Sequence, residues 1–157
     1  MMKKALLGLV CGAAWMVVGC GGVAVNTSAP QSPADTALAA GNIGTVNVSI
    51  NTSMNADRLA LLQKNEVDRL MKESLTASLG AAGKFGGGPL SLDLLIEDFA
   101  VPGWGPAWVN VVATLKDGSG AVVKEFSNKS SSMRGGSTAS RMTRILSDAG
   151  QKVLNRL

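Results

Sequence analysis

Two hydrophobic periodicities alternate along this chain, and they restrict its fold more than any other feature. Three short stretches, 45–50, 90–96 and 109–115, carry apolar residues at every second position, which is typical of half-buried strands. A fourth strand is expected over 121–126, where the chain returns antiparallel after a turn. Two longer stretches, 57–82 and 138–157, carry apolar residues three and four positions apart, which is typical of amphipathic helices. The pattern therefore predicts one domain of mixed helix and strand.

We predict an α+β fold for residues 43–157, in the order β-α-β-β-β-α. A four-stranded, mainly antiparallel sheet would carry two long amphipathic helices on one face. The Asp117-Gly118 pair favours a tight hairpin turn between the third and fourth strands, because glycine adopts positive φ at low cost. The other face of the sheet would stay open and polar, and would be available to a partner.

The N-terminus has the composition of a signal peptide. Lys3 and Lys4 precede an apolar run, 5–18, which is shorter than the roughly 20 residues that span a bilayer as a helix. No charged residue follows until Asp35. We expect a signal peptide over residues 1–19, with an uncleaved membrane anchor and an ordinary secretory signal as the alternatives.

Val17-Val18-Gly19-Cys20 ends this segment and resembles the lipobox of bacterial lipoproteins. The resemblance implies a diacylglyceryl group on the Cys20 thiol, cleavage before Cys20, and acylation of the new amine, for example with palmitate. Two or more acyl chains anchor a protein stably, whereas one chain binds only marginally. Gly21 and Gly22 follow, with no aspartate, and similarity to sorted lipoproteins then implies the outer membrane, with the domain facing the periplasm.

Residues 20–42 are rich in Gly, Ala, Ser, Thr and Pro and have little large apolar surface. Such a composition predicts a flexible tether between the lipid anchor and the globular domain.

Composition argues against most enzyme classes. The chain has no histidine, and Cys20 would be the only cysteine left after cleavage, so the usual general base and thiolate chemistry are missing. We predict a non-enzymatic protein without catalytic residues, metal or cofactor. A hydrolase that uses Asp93, Glu97 or Asp98 is the weaker alternative. The positive charge partly belongs to the signal peptide, so we expect no nucleic-acid partner.

Two groups of side chains are candidates for a contact surface. Trp104 and Trp108 lie in a stretch broken by prolines and glycines, and tryptophan suits interfaces and the edge of a membrane. Arg134, Arg141 and Arg144 lie near the start of the last helix, where an anionic group would also be attracted by the helix dipole. The alternative interpretation is purely structural, with Trp108 in or near the core and the arginines on a solvated face.

The lipobox, the tether, the 111–123 hairpin and a Gly-Gly-Ser segment before the last helix together resemble small envelope lipoproteins. The similar class is that of curli secretion and Pel polysaccharide export. The resemblance implies a structural or accessory component of an outer-membrane assembly or export system, with protein partners and homo-oligomers. The alternative is a periplasmic module that binds an anionic envelope polymer or lipid headgroup.

Overall fold

A computed structural model describes residues 22–30 and 42–157. The predicted signal peptide and residues 20, 21 and 31–41 of the predicted tether, Cys20 among them, lie outside these ranges. The elements are β1 (Ile43–Ile50), α1 (Ala56–Lys64), α2 (Val67–Ala81), β2 (Leu90–Ala100), β3 (Ala107–Lys116), β4 (Val122–Ser132) and α3 (Thr138–Arg156).

The four strands form one sheet in the order β1-β2-β3-β4. β1 pairs with β2 in parallel, whereas β2 with β3 and β3 with β4 are antiparallel. The sheet is therefore mixed, and the prediction of a mainly antiparallel sheet is wrong. The physical reason is the connection: two helices link β1 to β2, and a long helical crossover returns the chain to start the next strand in the same direction.

The prediction of two long helices is also wrong, because the described residues contain three helices of 9, 15 and 19 residues. The stretch expected as one helix is interrupted at Asn65 and Glu66. Glu66 has a φ of 48°, in the left-handed region, and the side-chain amide of Asn65 donates a 2.7 Å hydrogen bond to the carbonyl oxygen of Leu61. Apolar spacing continues through this break, so periodicity alone hides it.

One face of the sheet forms the core with the helices. Alternate residues of β2 and β3 are buried there against apolar residues of α2 and α3, among them Met71, Leu75, Leu79, Met142, Ile145 and Leu146. The opposite face carries half-exposed and polar side chains, with Leu95 paired to Val112 near its centre. None of the helices in the described ranges is long and apolar enough to cross a bilayer.

Candidate functional site

The loop between β2 and β3 presents the most exposed large apolar side chain of the described residues. Trp104 is 95% exposed at the tip of this loop, and Gly105 turns the chain with a φ of 91°. Arg141, in the first turn of α3 and only 8% exposed, donates hydrogen bonds to the carbonyl oxygens of Pro102 and Gly105. Arg141 therefore fixes the base of the loop that carries Trp104.

The other two arginines of the predicted surface lie at the same end of the domain. Arg144 donates from Nη1 to the carbonyl oxygen of Arg134, at 3.0 Å, and to Oγ of Ser132, at 3.4 Å. Arg134 is exposed, and its neighbour Met133 is 75% exposed. The structure thus places the three arginines at the end of the domain that carries the Trp104 loop, but two of them stabilise loops through backbone carbonyls.

Trp108 belongs to a different environment. It lies half-buried on β3 with two cations near its ring, the Arg58 guanidinium carbon 5.5 Å and the Lys129 ammonium nitrogen 5.3 Å from the ring centroid. Arg58 in turn donates to both carboxylate oxygens of Asp98 at 3.0 Å. These contacts join α1, β2, β3 and β4, so Trp108 serves the structure of this edge of the domain.

The acidic residues considered for catalysis are occupied in ion pairs or exposed. Asp93 lies 2.7 Å from the Lys116 ammonium and accepts a hydrogen bond from Asn47, and both hold the pKa of its carboxyl below the usual value. Glu97 is exposed on the same strand. Within residues 22–30 and 42–157, no three acidic or cysteine side chains are grouped so that they could hold a metal ion.

Sequence reasoning missed a site on the helix layer. Residues 22–30, which we call the strap, lie along α2 and α3, in part of the stretch predicted as a flexible tether. The backbone amides of Ala24, Asn26 and Ser28 donate to side chains of α3, namely Thr143 Oγ1 at 3.0 Å, Ser147 Oγ at 2.9 Å and Gln151 Oε1 at 2.9 Å. The flexible tether over residues 20–42 stays a prediction, and residues 20, 21 and 31–41 of it lie outside the described ranges.

Thr27 fastens the strap to α2. Its Oγ1 atom lies 2.7 Å from Oγ of both Ser74 and Ser78, and its backbone amide donates to Ser74 Oγ at 3.1 Å. Ser78 is only 5% exposed, and Val25 is buried in the core beside this contact. The signal in the sequence is a four-residue spacing of polar side chains on the inner faces of both helices.

A mixed sheet with its helices on one face, an aromatic loop held by Arg141 and a docked N-terminal strap define the class to compare, which is a small α+β domain. No family model and no curated protein matches the chain. A DUF330 protein of Xanthomonas campestris matches with a TM-score of 0.56 at 12% identity, over 85% of this chain and 88% of that chain. The PelC dodecamer of Paraburkholderia phytofirmans matches with a TM-score of 0.55 at 18% identity, over 81% and 94%.

These likenesses show the fold. They agree with the part of the sequence resemblance that points to the PelC-like class.

Proposed function

We propose that this protein is a lipid-anchored, non-enzymatic lipoprotein that acts as an accessory component of an outer-membrane assembly or export system. The observation that carries the proposal is the shared fold with PelC, which covers 94% of the PelC chain. The lipobox-like Val17–Cys20 segment supplies the anchor in this proposal, through acylation of Cys20. Neither named neighbour is described as an enzyme, which supports a non-enzymatic role.

We infer further that the protein forms a homo-oligomer. The PelC neighbours are dodecamers. In this chain β4 lies at one edge of the sheet and β1 at the other, and exposed strand edges readily pair with another chain. Val122 and Val123 at the start of β4 are 57% and 54% exposed, so the β4 edge offers apolar area for such a contact.

The binding of an anionic polymer or lipid headgroup has less support. The predicted anion site consisted of Arg134, Arg141 and Arg144, yet Arg141 is buried and donates to two carbonyls, and Arg144 donates to a third. A guanidinium already engaged with backbone carbonyls has fewer donors left for a ligand.

Fractionation of cells that express the wild type, Cys20→Ala and Cys11→Ala tests the anchor. We expect the wild type and Cys11→Ala in the outer-membrane fraction. Their measured masses should equal that of a mature chain that begins at an acylated Cys20. Cys20→Ala should leave that fraction, because the acyl chains provide the membrane affinity. An outer-membrane location that persists in Cys20→Ala, or an unmodified Cys20 thiol in the native product, would refute the proposal. Cys11→Ala is the matched control, since Cys11 lies within the apolar run.

A further inference from the structure

The strap follows α3 with a regular spacing. Alternate strap amides, those of residues 24, 26 and 28, bond side chains four residues apart on the helix, at Thr143, Ser147 and Gln151. Two residues of extended chain advance about 6.6 Å, and four residues of helix advance about 6 Å. The two repeats therefore match. An extended peptide can keep this bonding pattern along the surface of α2 and α3 that the strap covers, which we call the groove.

The groove is also shaped for this segment at one point. A Cβ atom at Gly150 would lie 2.7 Å from the Cγ2 methyl carbon of Thr27 and 3.2 Å from Sδ of Met71. The absence of a side chain at Gly150 lets the strap approach α3 closely enough for Thr27 to reach α2. Glycine inside an exposed helix costs about 0.5–1 kcal/mol relative to alanine. Gly150 is buried in α3, and the close packing of Thr27 against it explains why glycine occupies this position.

The start of the strap lies at the same end of the domain as the Trp104 loop. Val23 lines a small cavity together with Leu61, Thr138 and Met142, at the beginning of α3. Arg141, one residue before Met142, holds the loop that carries Trp104. The strap, whose first described residue is Gly22, therefore begins at the end of the domain where Trp104 and Met133 are exposed.

We propose that docking of the strap holds this end of the domain against the phospholipid leaflet in which Cys20 is anchored. The inference rests on the proposed lipid anchor. With the strap docked, Cys20 is two residues from Gly22, a span of at most about 7 Å. With the strap released, the chain from Cys20 to Ile43 could extend to about 75 Å. Docking of the strap thus keeps the domain next to the membrane, whereas release of the strap lets the domain move away from it by up to the longer of these two distances.

The two positions that meet at Gly150 give a matched test. Gly150→Ala should expel the strap, because the new methyl group collides with Thr27 Cγ2, while the helix itself gains propensity. Thr27→Ser removes that methyl group and keeps the hydroxyl that bonds Ser74 and Ser78. The double variant Thr27→Ser/Gly150→Ala should therefore dock again, and Thr27→Ser alone is the control.

The experiment uses residues 20–157, coupled through the Cys20 thiol to a maleimide lipid in vesicles with brominated phosphatidylcholine. The two tryptophans in this part of the chain, Trp104 and Trp108, report proximity to the bromine atoms, and hydrogen exchange reports the amides of residues 24–28. In Gly150→Ala we expect exchange there to become at least about tenfold faster, as for a locally opened segment. Quenching should fall in the same variant and return in the double variant.

Unchanged exchange in Gly150→Ala would overturn the docking step. Faster exchange with unchanged quenching would overturn the claim that the strap sets the distance from the leaflet. The chemical coupling does not depend on natural acylation. An unmodified Cys20 in the native protein would therefore contradict the proposed function. It would not change what the vesicle experiment shows about docking of the strap.

Discussion

Nη2 of Arg141 lies 2.6 Å from the carbonyl oxygen of Gly105, and Nη1 of the same guanidinium bonds the carbonyl oxygen of Pro102. One buried cation thus organises a loop that precedes it by 36 to 39 residues in the chain. The side chain at the tip of that loop, Trp104, is 95% exposed. Rigid support beneath an exposed aromatic residue reduces the entropy that the loop would lose on contact with a partner.

Arg141→Ala should lower the free energy of unfolding by about 1.5–3 kcal/mol, because it removes charged hydrogen bonds and leaves two carbonyl groups without their partner. Arg141→Lys should cost less, since it keeps the charge but loses the two-pronged geometry. Urea unfolding measures both, and Trp104→Ala is the control, which we expect within about 0.5 kcal/mol of the wild type as an exposed substitution. Equal stability of Arg141→Ala and Trp104→Ala would show that the loop does not need this support.

Arg141 also shows where prediction from sequence stops. A cation in an amphipathic helix is normally solvated, and the spacing of α3 gives no hint that the carbonyls of a distant loop bury this one. The strap is a similar case: its small and polar residues match a tether until hydroxyls on two helices are brought together to bond it. Both depend on tertiary contacts that local patterns do not contain.

Local patterns were sufficient where the signal itself is local. The alternation of apolar residues locates a strand such as β3, which is buried on one face along its whole length. Alternation does not specify direction, so the parallel pairing of β1 was missed. Gly80 lies inside α2, and the helix ends at Ala81, before Gly83 with its φ of 66°.

Gly44 and Gly80 should respond in opposite ways to alanine. A Cβ at Gly44 would lie 2.2 Å from the carbonyl oxygen of Gly88, so β1 or the loop before β2 must move. We expect a loss of about 1–3 kcal/mol in the free energy of unfolding, as for overpacking. A Cβ at Gly80 meets nothing within 4 Å, and Gly80→Ala should gain up to about 1 kcal/mol from helix propensity. Thermal unfolding of both variants measures these changes in stability. A Gly44→Ala variant as stable as the wild type would contradict the close approach of Gly44 to the Gly88 carbonyl.

The ion pair of Asp93 predicts a small pH dependence of stability. Lys116 and Asn47 lower the pKa of the Asp93 carboxyl in the folded state, so this group stabilises the fold above its unfolded pKa, about 3.9. The contribution is lost as the pH falls through the lower, folded pKa. Both side chains are about one third exposed, which limits the effect to about 1 kcal/mol or less.

Urea unfolding of the wild type and Asp93→Asn should therefore differ at pH 7 and converge toward pH 2. Glu97→Gln is the control, because it removes the same charge at an exposed position of the same strand. A gap between wild type and Asp93→Asn that widens in acid would have the wrong sign for this ion pair.

Val123→Lys should weaken self-association if the β4 edge joins neighbouring copies. Val123 is 54% exposed, and burial of a valine stabilises a contact by about 1.5 kcal/mol, so its loss raises the dissociation constant of one interface about tenfold. A lysine at a strand edge also opposes further pairing. Ser119→Lys, in the adjacent turn, is the control because it adds the same charge outside the strand.

Native mass spectrometry and light scattering of residues 20–157 measure the subunit number of both variants. Assemblies of equal size and stability in Val123→Lys and Ser119→Lys would place the interface elsewhere, because only the first variant alters the edge of β4.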